Sequence, residues 1–138
     1  MRPNFLRFLS LVFIVTACLG CKKAIEQKKQ DALVDVMSAN TWYVAQYLEG
    51  PNVYTSEFDG YDFNFKGDYT VVAKKGTSSI TGTWSADFNT KVLSANFTSG
   101  NPLSRLNGTW AIYYQDSQGP KMNQFVSGVE WKVSLKIR

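Results

Sequence analysis

From Thr41 to the C-terminus, apolar and polar residues alternate with a period of two, the pattern of β-strands that bury one face. The last stretch shows this best. Its apolar positions are Trp131, Val133, Leu135 and Ile137, and polar or charged residues separate them. We therefore expect the chain to end in a strand with one face in a core and the other in water.

Shorter runs of the same kind precede this strand, and turns rich in glycine, proline and asparagine separate them. The runs predict an all-β fold of about eight antiparallel strands, in a small lipocalin-like barrel or a half-open sandwich. Because no helical segments lie between the runs, a parallel α/β sheet is excluded. Predicted inward positions of the internal strands include Tyr61, Phe63, Phe65, Ile80, Trp84, Leu93, Phe97, Trp110, Ile112 and Tyr114.

Residues 22–37 follow a helical period instead, and Ser38-Ala39-Asn40 ends the predicted helix. Its expected apolar face consists of Ile25, Ala32, Leu33 and Val36. Lysine and glutamine cover most of the remaining surface. Because the apolar face is narrow, we expect a linker helix that packs on the β domain rather than a helix that lies in a membrane.

The first twenty residues have the composition of an export signal. Met1–Arg7 carries two arginines and no acidic residue, and an apolar run too short to span a bilayer follows. Small residues then lead into a cysteine, as in a secretory signal before its cleavage site. We predict a signal peptide over 1–20, a lipid-anchored helical tether over 21–39 and a β domain over 40–138.

Two cysteines follow small residues, in Thr16-Ala17-Cys18 and in Leu19-Gly20-Cys21. Both resemble the lipobox of bacterial lipoproteins, in which the cysteine is acylated. Cys18 fits the usual apolar-small-small pattern better, whereas Cys21 precedes the hydrophilic pair Lys22-Lys23. We favour Cys21 and keep Cys18 as the alternative. Either site implies a protein attached to a membrane of the cell envelope by its lipid, with the outer membrane as the expected location.

Composition excludes several functions. The 138 residues are enough for one domain, and the absence of histidine excludes Ser-His-Asp triads and histidine metal ligands. Without Arg2 and Arg7, 13 basic residues face 11 acidic ones, a net charge of +2, and no basic stripe for nucleic acid exists.

The carboxylates Asp59, Asp62 and Asp68, with Glu57 beside them, are the candidate acid–base groups. Asp59-Gly60 and Gly67-Asp68 are typical of turns, so we assign these aspartates to turns. We expect no catalytic residue, no metal site, no cofactor and no enzymatic activity.

Several segments resemble, in their order, the lipocalin-like lipoproteins of the Bacteroidota. They are the lipobox, Thr41-Trp42-Tyr43-Val44, Phe58-Asp59-Gly60-Tyr61-Asp62-Phe63-Asn64-Phe65, Gly82-Thr83-Trp84 and Leu106-Asn107-Gly108-Thr109-Trp110. The resemblance implies an exported, lipid-anchored barrel or half-open sandwich. It carries no catalytic residue to this chain.

Aromatic residues are abundant, and 17 of the 20 follow the predicted signal. They would line a barrel interior, where they could surround a small apolar or aromatic ligand or fill the space themselves. Candidate ligand-binding residues are Trp42, Gln46, Tyr61, Phe63, Trp84, Trp110, Tyr114 and Trp131. Tyr43, Tyr47 and Tyr113 are expected to point outward. We therefore expect a carrier of a small apolar or aromatic ligand, and keep as the alternative a filled barrel that contacts an envelope protein through its outer surface.

Overall fold

The computed structural model describes the backbone of residues 4–138 and the side chains of residues 20–138. One helix, α1, spans Asn4–Ala39 and leads into the β domain. Its end agrees with the sequence prediction. Over its described residues α1 is nowhere both long and apolar enough to count as a membrane span. Apart from Gly20, the predicted signal peptide lies outside the residues whose side chains are described, as does Cys18.

Nine strands and two short 3₁₀ turns follow α1, and all strand pairs are antiparallel. The strands are β1 (Trp42–Glu49), β2 (Asn52–Val53), β3 (Tyr61–Phe65), β4 (Thr70–Lys75), β5 (Ser78–Asp87), β6 (Val92–Asn96), β7 (Gly108–Asp116), β8 (Gly119–Val126) and β9 (Val129–Ile137). The 3₁₀ turns are Thr55–Phe58 and Leu103–Leu106. Pairing of β1 with β9 closes an eight-stranded barrel, and β2 is a short addition to β1. The predicted all-β barrel with a preceding helix is confirmed.

Among the residues of α1 whose side chains are described, several from Gln30 to Met37 pack on the barrel. Met37 is buried, while Leu33 and Val34 are partly buried against the core. The face predicted from the sequence is therefore partly wrong, because Ile25 and Val36 are 55% and 48% exposed. The face of α1 that contacts the barrel is rotated relative to the predicted face, and it includes Gln30, whose amide also reaches the barrel. This amide donates to Ala86 O at 2.7 Å and accepts the Phe88 N–H at 2.9 Å.

A β-bulge in β1 reverses the facing of its side chains. The pairing register with β9 shifts by one residue between Val44 and Gln46, so strict alternation fails there. Gln46 is exposed and Tyr47 is completely buried, the reverse of the facing that alternation predicts. The predicted inward position of Gln46 and outward position of Tyr47 are both wrong, because the extra residue moves all later positions to the opposite face.

The predicted inward position of Tyr114 is wrong, because β7 contains a second bulge. The register between β7 and β8 shifts between Ile112 and Tyr114. Tyr113 is the extra residue, and both tyrosines are about half exposed. Tyr114 therefore lies on the outer surface instead of facing the interior.

Tryptophan side chains join the barrel core to segments outside the strands. The indole N–H groups of Trp42, Trp84 and Trp110 each donate to a backbone carbonyl at 2.9 Å. The three acceptors belong to Met37 of α1, to Lys66 of the β3–β4 turn and to Leu106 of the second 3₁₀ turn. Each buried indole thereby satisfies its one donor and holds a loop or helix end in place.

Glycine at position 82 allows close packing in the core. A Cβ atom there would lie 2.6 Å from Asn96 O and 2.7 Å from Cδ1 of Phe97. The Gly-Thr-Trp segment thus lets the neighbouring strand and a large ring approach, while its Trp84 fills the core two residues later.

Replacement of Trp84 by alanine tests this packing. The ring is buried against Phe65 and Tyr69, at centroid distances of 5.1 and 5.8 Å. We expect Trp84→Ala to lower the free energy of unfolding by about 3–5 kcal/mol, measured by denaturant unfolding. Phe125→Ala, at a ring that is 70% exposed, is the matched control and should change it by about 0.5 kcal/mol or less. Equal stability of the two variants would contradict the described core.

Candidate functional site

The barrel interior is almost completely filled by side chains. A cavity lined by core residues has a volume of about 20 Å³, which holds about one water-sized sphere. Sites for small organic ligands usually measure about 300–1,000 Å³. The lining residues are Phe65, Leu93, Ala95, Phe97, Leu106, Trp110, Met122, Val133 and Leu135.

Tyr47 is the central side chain of this filling. Its ring centroid lies 5.2 Å from that of Phe58, 6.1 Å from Trp110 and 6.4 Å from Trp131. The tilted and edge-on arrangements are the favoured ones for aromatic pairs. The bulge in β1 thus brings one more large ring into the interior than strict alternation provides.

The eight predicted ligand-binding residues separate into two groups. Those that belong to the core or pack against it are Trp42, Tyr61, Phe63, Trp84, Trp110 and Trp131. Within this group Tyr61 stacks on Phe63 at 6.1 Å. Gln46 and Tyr114 lie outside. The predicted set therefore does not converge on one cavity.

A polar cluster covers one end of the barrel. Arg105, on the second 3₁₀ turn, forms salt bridges with Glu49 at the end of β1 and with Glu57, whose Oε2 is 3.0 Å from Nε. Its guanidinium carbon lies 3.9 Å from the ring centroid of Tyr54. The Tyr47 hydroxyl donates to Arg105 O at 2.7 Å. The cluster ties both 3₁₀ turns to β1.

The electrostatics of this cluster keep Tyr47 neutral. Burial raises the pKa of the Tyr47 hydroxyl well above its usual value, and the Glu49 charge raises it further. The hydroxyl therefore stays protonated, and keeps its hydrogen bond to Arg105 O, to a higher pH than an exposed tyrosine would. Among residues 20–138, no group of three or more acidic or cysteine side chains is arranged to hold a metal ion. We infer that the cluster closes the barrel end, because Arg105 links both 3₁₀ turns to the end of β1.

Two of the aspartates considered as acid–base groups are engaged by other residues of the chain. Asp68 accepts the Thr70 backbone N–H at 3.0 Å and its hydroxyl at 2.6 Å, and these bonds lower the Asp68 pKa. Asp62 pairs with Arg138 at 2.7 Å. The turn assignments of Asp59 and Asp68 are confirmed, and Asp62 lies in β3, within the strand that the sequence predicts.

A groove on the outer surface separates the end of α1 from β7 and the β5–β6 turn. We call it the outer groove, and its volume is about 190 Å³. Phe88, Tyr113 and Tyr114 form half-exposed aromatic walls. The full lining is Leu33, Asp87, Phe88, Lys91, Ile112, Tyr113, Tyr114 and Gln115.

A wider and mostly polar hollow lies beside β1, where β1 pairs with β3 only between Trp42 and Phe63. Its volume is about 510 Å³, and its lining includes Lys136 and Arg138. Arg138 is already engaged by Asp62 and by the Tyr43 ring, 4.6 Å away. Val44, Ala45 and Phe58 also line the hollow, but most of its exposed lining is polar, so it suits an apolar ligand less well than an enclosed apolar cavity would.

Comparison with known proteins informs the fold. No protein-family model matches the sequence, and a search of the curated proteins gives no match either. Among solved structures, the barrel is similar to that of a DUF4847 family protein from Bacteroides vulgatus. The two chains share 16% identity at a TM-score of 0.50, and the alignment covers 74% of this chain and 96% of the other. At this identity the similarity shows the fold alone.

These findings define the class of protein. The chain is a closed eight-stranded antiparallel β-barrel with one extra short strand and an N-terminal helix. A protein from Bacteroides has a similar barrel, so the predicted resemblance to barrel proteins of the Bacteroidota is supported at the level of fold. The lipid anchor and the lipocalin-like character stay predictions.

Replacement of Arg105 tests the polar cluster. The Arg105 and Glu49 side chains are only 16% and 15% exposed, so Arg105→Ala leaves a carboxylate without its partner in a mostly buried place. We expect the free energy of unfolding to fall by about 3 kcal/mol. Arg138→Ala is the control, because the Arg138–Asp62 pair is exposed and should contribute less than about 1 kcal/mol. A similar small loss in both variants would show that the cluster does not close the barrel end.

Proposed function

We propose that this chain is an exported, lipid-anchored barrel protein of the cell envelope that works through its outer surface on a protein partner. The alternative, a carrier of a small apolar ligand inside the barrel, has less support. The observation that carries the choice is the interior volume of about 20 Å³, since even a small ligand would have to displace core side chains.

The helix geometry is compatible with a lipid anchor at Cys21. This cysteine is exposed, and the next residues, Lys22 and Lys23, are exposed as well. From Cys21 to Ala39 a helix spans about 27 Å at 1.5 Å per residue. Acyl chains on Cys21 would contribute about 0.8 kcal/mol per buried CH₂ group, so two or three chains would hold the barrel at a membrane. We assign the anchor to the outer membrane.

The anchor is tested by two cysteine variants of the full chain. We expect Cys21→Ser to abolish incorporation of labelled palmitate and to move the protein from the membrane to the soluble fraction. Cys18→Leu is the matched control, because it removes the other thiol and gives Cys21 the usual apolar residue three positions before it. This variant should keep its lipid. The reverse outcome would place the lipid on Cys18, and lipid on neither cysteine would contradict the anchor.

The filled interior is tested by native mass spectrometry of the full chain in detergent, after incubation with an extract of envelope lipids and metabolites. We expect only the mass of the protein with its covalent lipid, because the interior has no room for a ligand. Tyr114→Ala removes a wall of the outer groove and serves as a control for binding outside the barrel. A bound small molecule retained in this variant and lost on unfolding would favour the ligand carrier.

A further inference from the structure

We propose that the outer groove docks an acidic segment of a protein partner and seats one apolar side chain of that segment between Phe88, Tyr113 and Tyr114. This inference rests on the proposed function, in which the protein works through its outer surface. It adds the location of the contact and the chemistry of the partner.

The groove is built by features that fix its shape. The Gln30 amide bonds to both the Ala86 carbonyl and the Phe88 N–H, and these two bonds tie α1 to the end of β5 and to the β5–β6 turn. The bulge in β7 places Tyr113 and Tyr114 side by side on the surface, where regular alternation would have turned one of them inward. Preformed aromatic walls lose little conformational entropy on binding.

The size of the groove suits a side chain better than a complete small molecule. Its volume of about 190 Å³ is below the usual range of about 300–1,000 Å³ for ligand sites. Leu33 and Ile112 supply apolar lining, and aromatic residues surround them. Protein interfaces commonly place one apolar or aromatic anchor in such a pocket, with tyrosine among the residues that contribute most to binding.

The charges around the groove select an acidic partner. Lys91 lines it, the Lys29 amine lies 5.5 Å from the Phe88 ring centroid, and the Lys121 amine lies 4.9 Å from that of Tyr114. Within the described part of the chain, none of these three lysines forms a salt bridge. The carboxylate in the lining, Asp87, accepts the Thr90 N–H at 2.9 Å and so belongs to its own turn. Carboxylates of a partner would complement the lysines and speed association.

The position of the outer groove favours a protein, rather than the lipid surface, as its binding partner. Leu33 follows Cys21 by twelve residues, which is about 18 Å along a helix. An upright helix anchored at Cys21 therefore holds the groove away from the lipid. The Phe125 ring is more exposed than the aromatic rings of the groove, but it lies on β8 and does not line the groove.

The test is selection of a random twelve-residue peptide library on the full chain reconstituted in lipid nanodiscs, with counter-selection on empty discs. We expect enriched peptides in which acidic residues flank an apolar one. Their binding should weaken at least tenfold in Tyr114→Ala and in Lys121→Glu, and it should weaken with added salt. Phe125→Ala and Lys74→Glu are the matched controls, each at an exposed residue of the same type outside the groove, and should bind like the wild type.

Three results would overturn the proposal. These are enrichment of basic or uncharged peptides, equal binding to groove and control variants, and the absence of any peptide that prefers the protein over empty discs. Equal binding to all variants would place the contact elsewhere on the outer surface and leave the proposed function standing. Failure of the proposed function is recognised separately, by a small molecule retained inside the barrel in the mass measurement. Melting curves of all four variants confirm that each is folded.

Discussion

The one-residue bulge in β1 determines what the barrel can hold. It lies between Val44 and Gln46 and turns Tyr47 from the outer surface into the centre of the core. Once inside, the Tyr47 ring packs on Phe58 and Trp110, and its hydroxyl reaches the backbone of Arg105. The same residue therefore fills the interior and connects it to the polar cluster at the barrel end. Without the bulge, Gln46 would occupy the interior in place of an aromatic ring.

Because the interior is filled, we look for the functional site on the outer surface of the barrel. The indole donors hold α1, a turn and a 3₁₀ turn against the core, so the surface elements are fixed by the same residues that close the cavity. The bulge in β7 has the opposite consequence, because it moves Tyr114 out of the core and into the wall of the outer groove. Two local departures from alternation thus assign one tyrosine to packing and another to the exposed surface.

Alternation predicts most of the strands and the burial of Trp42, Trp84 and Trp110, since period-two burial is a local property of the sequence. Gly82 could also be interpreted locally, because a glycine two residues before a core tryptophan indicates close packing. No pattern in the sequence predicts the two bulges. Each of them moves a tyrosine, Tyr47 in β1 and Tyr114 in β7, to the side of the strand opposite to the one that alternation predicts. Arg105 was missed for another reason. Its partners Glu49 and Glu57 lie 56 and 48 residues away in the chain, and only the closed barrel brings them together.

The inward position of Tyr47 is tested most directly by nuclear Overhauser spectroscopy of the full chain with labelled aromatic residues. The structure predicts cross-peaks from the Tyr47 ring to the rings of Phe58 and Trp110, and none from the Gln46 side chain to Trp110. The opposite result, with Gln46 in contact with Trp110 and the Tyr47 ring exposed to solvent, would contradict the bulge and reopen the barrel interior as a ligand site.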